Sequence, residues 1–544
     1  MARWWLKWRL ALSLILGGAL HALSFAPEPI PSWALSPLEL ITLAWLVHCV
    51  WQAPSAALAA RRAWFFAFAH FVVGVYWLTI SMHTYGLMPL PLAVLALMAL
   101  SACLALFGSL AAWLAHKTNQ LTRPSTTQTP FKLIGAALVW ASVWTLCEWL
   151  RGTLFTGFPW LNSGYAHVDS WFAGWAPVLG VYGVTFITAF TAATLASLVN
   201  TTRGPSTHQP QHALVGLFAL IFALAGWALQ QHTWTTPVGQ PLRVRLVQGN
   251  VEQDIKFTPS HIQKTIETHL RLAATPTPTG TLPPKLVLLP ETALAVFQHQ
   301  LDPAVWEAWR VIAAQQGSTI MMGAAIFDRS TGSYTNSVIG LDQTTTLEAL
   351  TSGHPALRYD KHHLVPFGEF VPSGFRWFVD QLAIPLGDFT RGGLQQPPFT
   401  IGDQRIAPNI CYEDVFGEEL LPALKADDGS AAGPGATILA NFSNLGWFGD
   451  SWALRQHWQM ARMRALETSR PMLRATNTGI TGAIDAQGQT IARVPPRTAA
   501  VLDLNVQGQQ GLTPYTSRGN LPILLIAGFI LLIALYRRNK RSSQ

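Results

Sequence analysis

Charge is what this chain has least of: Asp, Glu, Lys and Arg make up 12% of its 544 residues, against 50% hydrophobic residues and 23 tryptophans. A balance this apolar excludes an ordinary soluble enzyme and indicates a membrane protein. Cysteine is also sparse. Of the four, Cys49, Cys103 and Cys147 lie in apolar runs and Cys411 alone falls in polar sequence, so neither a disulfide framework nor a paired CxxC site is available. No Lys/Arg cluster with interleaved aromatics occurs in the polar region. That excludes nucleic acid as a partner and leaves the net charge of +8 to the basic flanks of membrane helices. A metal site is not expected, because the His362-His363 pair lacks a third ligand at a useful spacing. No cofactor is implied, and no internal repeat is present.

What is there, first, is a series of apolar runs. A hydrocarbon core of about 30 Å needs roughly 20 apolar residues per helix. Runs of that order fall near 10–26, 36–52, 63–80, 92–115, 133–150, 171–199, 213–231 and 521–536, about eight spans in all. The first follows Arg3, Lys7 and Arg9 but ends without a small-residue cleavage site, so it reads as an uncleaved helix. Basic residues alternate between connections. Arg61 and Arg62, then Lys117, Arg123 and Lys132, then Arg203, and finally Arg537, Arg538, Lys540 and Arg541 mark one side, while the intervening connections carry at most Arg151. By the positive-inside rule both termini are expected in the cytoplasm and the polar segment on the far side, which in a bacterial envelope is the periplasm. The expected domains are therefore 1–231, a seven-helix membrane region; 232–519, a large polar domain; and 520–544, an eighth span with a basic tail.

The polar segment reads as α/β. Short β-rich runs at Leu242–Gln248, Lys285–Leu289, Thr319–Gly323 and Ala436–Ala440 alternate with helical stretches near 259–273, 303–316 and 452–469. Three reactive side chains stand at or just beyond apolar runs: Glu291 after Leu-Val-Leu-Leu-Pro, Lys361 in Tyr-Asp-Lys-His-His, and Cys411 in Pro-Asn-Ile-Cys-Tyr-Glu. A cysteine attacks as its thiolate and needs a base or a cation beside it, and these residues offer one of each. Taken singly each has a bland alternative: a buried structural thiol, a helix-start carboxylate, a solvated lysine. Spacing alone does not show that the three converge.

The surrounding words add more. Pro290-Glu291, Lys361 with Leu364-Val-Pro-Phe-Gly-Glu369, and Cys411-Tyr412-Glu413 resemble the nitrilase superfamily. Beyond these, Phe25-Ala-Pro27, Gly157-Phe-Pro-Trp160 with Asn162, Gly164 and Tyr165, and Val247-Gln-Gly-Asn250 are similar to the bacterial apolipoprotein N-acyltransferase family, as are Trp447-Phe-Gly449, Gln456-His457, Arg464-Ala-Leu-Glu467 and Arg474-Ala-Thr-Asn477. The resemblance spans nearly the whole chain. It implies a polytopic α-helical membrane protein with an αββα sandwich inserted between spans seven and eight. It implies Glu291 as general base, Lys361 as transition-state stabiliser and Cys411 as the nucleophile that becomes a thioester, with Glu369, Tyr412 and Glu413 in support. Asn336, Phe257, Trp447 and Phe448 are further substrate-site candidates. Two departures stand out: Phe257 where the family often has tryptophan, and Leu445 where it has an acidic residue.

The implied reaction moves an acyl chain from a phospholipid, phosphatidylethanolamine by preference, through Cys411 to the α-amine of an S-diacylglyceryl-cysteine apolipoprotein. A monomer in the inner membrane is expected, with loops near 373–392 and 442–450 forming a lid that keeps water from the thioester. The competing readings are a membrane-tethered carbon–nitrogen hydrolase with the same triad and water as acceptor, and a transporter or scaffold without chemistry. Few ionisable residues lie in the spans, which weighs against an ion path.

Overall fold

The computed structural model describes residues 2–25, 28, 30–118, 130–199, 209–376, 388–425 and 435–542. Pro27, Arg123, Arg203 and the middle of the 373–392 loop lie outside the described residues. The chain divides into two compact units, one of Met1–Thr79, Leu90–Thr233 and Arg518–Gln544, the other of Ile80–Pro89 and Trp234–Ser517.

The first unit is helical because its sequence is continuously apolar, leaving the backbone to satisfy its own hydrogen bonds. Among the described residues seven helices are long and apolar enough to cross a membrane: Trp8–Phe25, Ser32–Trp51, Ala56–Gly74, Leu90–Thr118, Phe131–Thr156, Trp171–Leu198 and Leu521–Lys540. The helix Gln209–Gln230 contributes a shorter apolar stretch, Gly216–Gln230. Small residues let helices approach closely. A Cβ on Gly18 would sit 2.0 Å from the Phe66 carbonyl, so the first and third helices cross at backbone contact. The run expected at 171–199 is not one straight helix, since Gly180 breaks it with φ 69° and ψ −176°. The buried charges here are paired. Glu39 lies 2.8 Å from His167 Nε2, and Arg151 binds Glu148 at 2.7 Å and the Trp160 carbonyl at 2.8 Å. Arg151 ties the end of its helix to the loop that follows, and Glu39, inside Ser32–Trp51, holds His167 of the turn Ser163–His167; neither contact lines an ion path.

The second unit is an αββα sandwich. One sheet runs, in spatial order, Ala500–Val506, Leu242–Gln248, Leu286–Leu288, Thr319–Asp328, Ser333–Leu341 and Leu357–Asp360, with Leu294–Phe297 added beside Thr319–Asp328. The other runs Thr490–Arg493, Gly482–Ile484, Met472–Thr476, Ile438–Ser443, Gln404–Ile410 and Phe399–Ile401. The central pairings of each are parallel. Both faces of each sheet are therefore covered, and alternation along the strands assigns them. Val244, Leu246, Leu286 and Leu288 meet Ile406, Ile410, Ala440 and Phe442 between the sheets. The intervening Val247, Val287 and Leu289 turn outward onto the helices Pro259–Ala273 and Pro303–Gln316, where Trp306 and Trp309 are wholly buried. On the opposite outer face Ala407, Leu439 and Met472 pack against Gly417–Leu424 and Trp452–Thr468. Glu291, Lys361 and Cys411 each follow the C-terminal end of a strand, the edge where α/β sheets carry ligands.

Candidate active site

Glu291 follows the short strand Leu286–Leu288 and stays in its sheet line, because Gly323 N donates to the Pro290 carbonyl at 3.2 Å. Thr292 then takes a left-handed φ of 53°, turning the chain away and leaving the carboxylate at the strand end. That carboxylate is 7% exposed and fully engaged. Oε1 accepts from Asn336 Nδ2 at 2.8 Å, Oε2 accepts from the Asn444 amide at 2.9 Å, and Lys361 Nζ stands 3.5 Å from Oε1. Gly323 makes this possible by having no side chain: a Cβ there would lie 2.5 Å from Glu291 Cα and 2.6 Å from Thr292 N. Gly323→Ala is expected to displace the base by about 1 Å and to lower kcat by about 10²-fold in a folded protein, measured as steady-state acyl transfer.

Lys361 is placed by its own backbone, which donates to Asn336 O at 2.8 Å and accepts from Gly392 N at 2.8 Å. Its ammonium is 1% exposed and sits 2.9 Å from Glu369. Burial pulls its pKa down, but Glu369, Glu291 and Cys411 together outweigh that and hold it above the ordinary lysine value. The group is therefore a fixed cation. Glu369 accepts in turn from Asn336 Nδ2 at 2.7 Å and Val365 N at 2.8 Å, so Asn336 bridges the two carboxylates that flank the lysine.

Cys411 ends the strand Gln404–Ile410 and opens the one-turn helix Cys411–Val415. Its φ of 52° is left-handed, a conformation that costs a non-glycine residue about 1–2 kcal/mol and that clusters at functional sites. Its carbonyl accepts from Asn441 Nδ2 at 3.1 Å. Burial raises the thiol's pKa first, and Glu291 and Glu369 raise it further, against Lys361 and the Asn444 amide. The balance favours the thiol over the thiolate, so attack calls for a neighbour to take the proton as the bond forms.

Glu413 joins the pieces. It accepts from Ile410 N at 2.6 Å, just before the cysteine, and from His362 N at 2.6 Å and His363 N at 3.1 Å, just after the lysine, with Tyr359 OH at 3.0 Å. Burial pushes it up to about 7, with Lys361 and the three amides opposing. Tyr412 packs its ring edge-on to Phe416 at 5.0 Å and near His363 at 5.8 Å. The structure thus brings Glu291, Lys361, Cys411, Glu369 and Asn336 into one cluster, with Glu413 holding two of their strands. Phe257 and Trp447 stack at 6.4 Å, Trp447 meets Tyr85 edge-on at 5.8 Å, and Phe448 lies half-buried in the same turn, Leu445–Phe448.

Several participants were not singled out by sequence. The Asn444 amide carries no signature at all. Lys256 is wholly buried, donates to the Glu291 carbonyl at 3.3 Å, and is pushed down to about 7 by burial against the pull of Glu291. It adjoins Phe257, but nothing in its type or spacing marks it in the sequence. Tyr85 comes from Ile80–Pro89, whose membership of this unit the hydropathy pattern does not betray. The 442–450 stretch is anchored at one end, because Asn444 binds Glu291 and Gln253 while Leu445 is buried.

A glutamate, a lysine and a cysteine at adjoining strand ends of an αββα sandwich define a carbon–nitrogen hydrolase domain, and residues 243–513 match the carbon–nitrogen hydrolase family. Residues 17–194 match the apolipoprotein N-acyltransferase N-terminal domain. The chain belongs to the apolipoprotein N-acyltransferase family. It is 51% identical to the apolipoprotein N-acyltransferase of Bordetella bronchiseptica over 99% of this chain and 98% of that one. With the corresponding protein of Ralstonia nicotianae it shares 44% identity over 98% and 94%. For that of Haemophilus influenzae the figures are 32% over 96% and 94%.

Proposed function

We propose that this chain transfers an acyl group from a phospholipid to the N-terminal amine of a diacylated apolipoprotein, with Cys411 as covalent carrier. The observation that carries this reading is the convergence of a half-buried thiol, a hydrogen-bonded carboxylate and a lysine ammonium in a protein with seven membrane-length helices among the described residues. Phosphatidylethanolamine is the proposed donor, and a monomer the proposed working unit.

In the first half-reaction Glu291 takes the Cys411 proton as sulfur attacks the ester carbonyl. Lys361 and the backbone N–H of Tyr412 stabilise the oxyanion of the tetrahedral intermediate. Collapse breaks the bond to the glycerol oxygen, which leaves with the proton from Glu291 as lysophospholipid. In the second, the acceptor's neutral amine attacks the thioester, Glu291 takes its proton, and the amide product leaves as that proton returns to sulfur. One base serves both steps, and the kinetics are ping-pong. Phe257, Trp447, Phe448 and Tyr85 supply an apolar surface for the acyl chain, and Trp447–Asp450 is the part of the 442–450 loop able to act as a lid.

The test is to incubate purified protein with phospholipid labelled in its acyl chain and a diacylated lipopeptide. The label is expected in the lipopeptide as an amide. Free fatty acid with no lipopeptide product, or amide hydrolysis of small substrates, would favour a hydrolase instead.

Residues 1–231 and 520–544 form the membrane region in this reading and 232–519 the catalytic domain, which faces the periplasm while both termini face the cytoplasm. The alternation of basic connections supports that topology. A membrane-impermeant thiol reagent applied to cells with a permeabilised outer membrane is expected to label Thr331→Cys and to spare Arg537→Cys. The reverse pattern would invert the topology.

A further inference from the structure

His457 and Arg474 take no part in the chemistry above, yet both side chains converge on the turn that carries the nucleophile. Asp414, three residues after Cys411, is wholly buried, as are His457 on Trp452–Thr468 and Arg474 on Met472–Thr476. Asp414 Oδ1 lies 2.6 Å from His457 Nε2, its other oxygen pairs with Arg474 Nη1, and Arg474 Nη2 lies 3.0 Å from His457 Nδ1. A guanidinium can only donate. His457 Nδ1 therefore accepts from Arg474, and the ring's one hydrogen sits on Nε2, donated to Asp414. The closed ring of three contacts fixes both the tautomer and the neutral state of the imidazole. Burial, with Arg474 beside it, also holds the histidine below its ordinary pKa despite Asp414.

A buried ion pair contributes little net stability over apolar packing, so its place in the fold is the informative part. This one grips a strained turn. The left-handed Cys411 persists only where the surroundings over-determine it. Asn441 holds its carbonyl, Glu413 holds the amide before it, and Asp414 is the third attachment, tying the far end of the turn to a helix and a strand that do not carry the triad. We propose that Asp414, His457 and Arg474 form a clamp that positions Cys411, keeping its sulfur directed at Glu291 and Lys361. None of the three touches the reacting atoms. They are positioning residues, and the inference rests on Cys411 being the nucleophile.

The test follows acyl-enzyme formation in the full-length protein by rapid quench and mass spectrometry, over a range of phosphatidylethanolamine concentrations in mixed micelles. His457→Leu removes the ring's contacts with Asp414, Arg474 and the Cys411 backbone, whereas His457→Gln keeps one donor and one acceptor. His457→Leu is expected to lower the maximal acylation rate about 10- to 100-fold with half-saturation by donor unchanged within about twofold, and His457→Gln to recover most of that rate. Should His457→Leu not purify as a monodisperse protein, Arg474→Lys carries the same expectation, because one ammonium cannot span both partners. A wild-type acylation rate in the leucine or lysine variant, or a loss that appears wholly in donor half-saturation, would overturn the clamp. Wild-type protein acylated at another residue, with Cys411→Ala unaffected, would overturn the nucleophile assignment itself and the clamp with it.

Discussion

Cys411→Ser is expected to lower acyl transfer by about 10⁴-fold or more while the protein still folds and inserts. The side chains are nearly isosteric, and the contacts that shape the turn come from the backbone and from Asn441, Glu413 and Asp414, not from sulfur. What changes is acidity. A thiol near 8.5 is already raised here by burial and by two carboxylates, and Glu291 must remove its proton with help from one lysine and one amide. A hydroxyl is harder to deprotonate by many orders of magnitude, and the oxygen ester it would form is a poorer acyl donor to an amine than a thioester. Steady-state transfer from labelled phospholipid to a diacylated lipopeptide measures the loss. A serine variant retaining a tenth of wild-type activity would mean that the cysteine is not the carrier.

The second large effect is expected at the base. Glu291→Gln should lower kcat about 10²- to 10⁴-fold, because the proton of the thiol and later that of the amine lose their acceptor. The electrostatic sign gives an independent check. Glu291 is one of the groups that raise the thiol's pKa, second to burial, and the amide that replaces it carries no charge. Removing it lowers the pH at which Cys411 becomes a thiolate, so the pH midpoint for alkylation by iodoacetamide should shift down in the variant although acyl transfer collapses. Faster alkylation with slower catalysis would separate the base from a merely structural carboxylate. An upward shift would contradict the electrostatics derived for the site.

Much of the scaffold was legible because strand and helix periodicities are local. The helices Pro259–Ala273 and Pro303–Gln316 begin at prolines where helix starts are expected, and Leu242–Gln248 is a strand over the residues read as one. The strand read at Thr319–Gly323 continues to Asp328, since Ala324 and Ala325 carry little β signal of their own and are held by pairing with Ser337 and Asn336. Glu291, Lys361 and Cys411 were visible from their positions after apolar runs and from the words around them. Their mutual arrangement was not, because it depends on sheet order across residues 286 to 476. Asn336 illustrates the difference: a strand residue of ordinary type becomes the bridge between Glu291 and Glu369 only once Ser333–Leu341 lies beside Thr319–Asp328. Backbone donors such as Asn444 N leave no trace in side-chain chemistry. The buried charges of Lys256 and of the Asp414–His457–Arg474 ring were obscured because burial is a tertiary property.

The account turns on one covalent bond. Purified protein mixed with phosphatidylethanolamine carrying a labelled acyl chain, in the absence of acceptor, should gain the mass of that chain on a single proteolytic peptide, the one containing Cys411. Hydroxylamine should remove it at neutral pH, and addition of a diacylated lipopeptide should move it to the peptide amine. No adduct under these conditions, an adduct on a residue other than Cys411, or one that the lipopeptide cannot discharge would contradict the proposal that Cys411 carries the acyl chain.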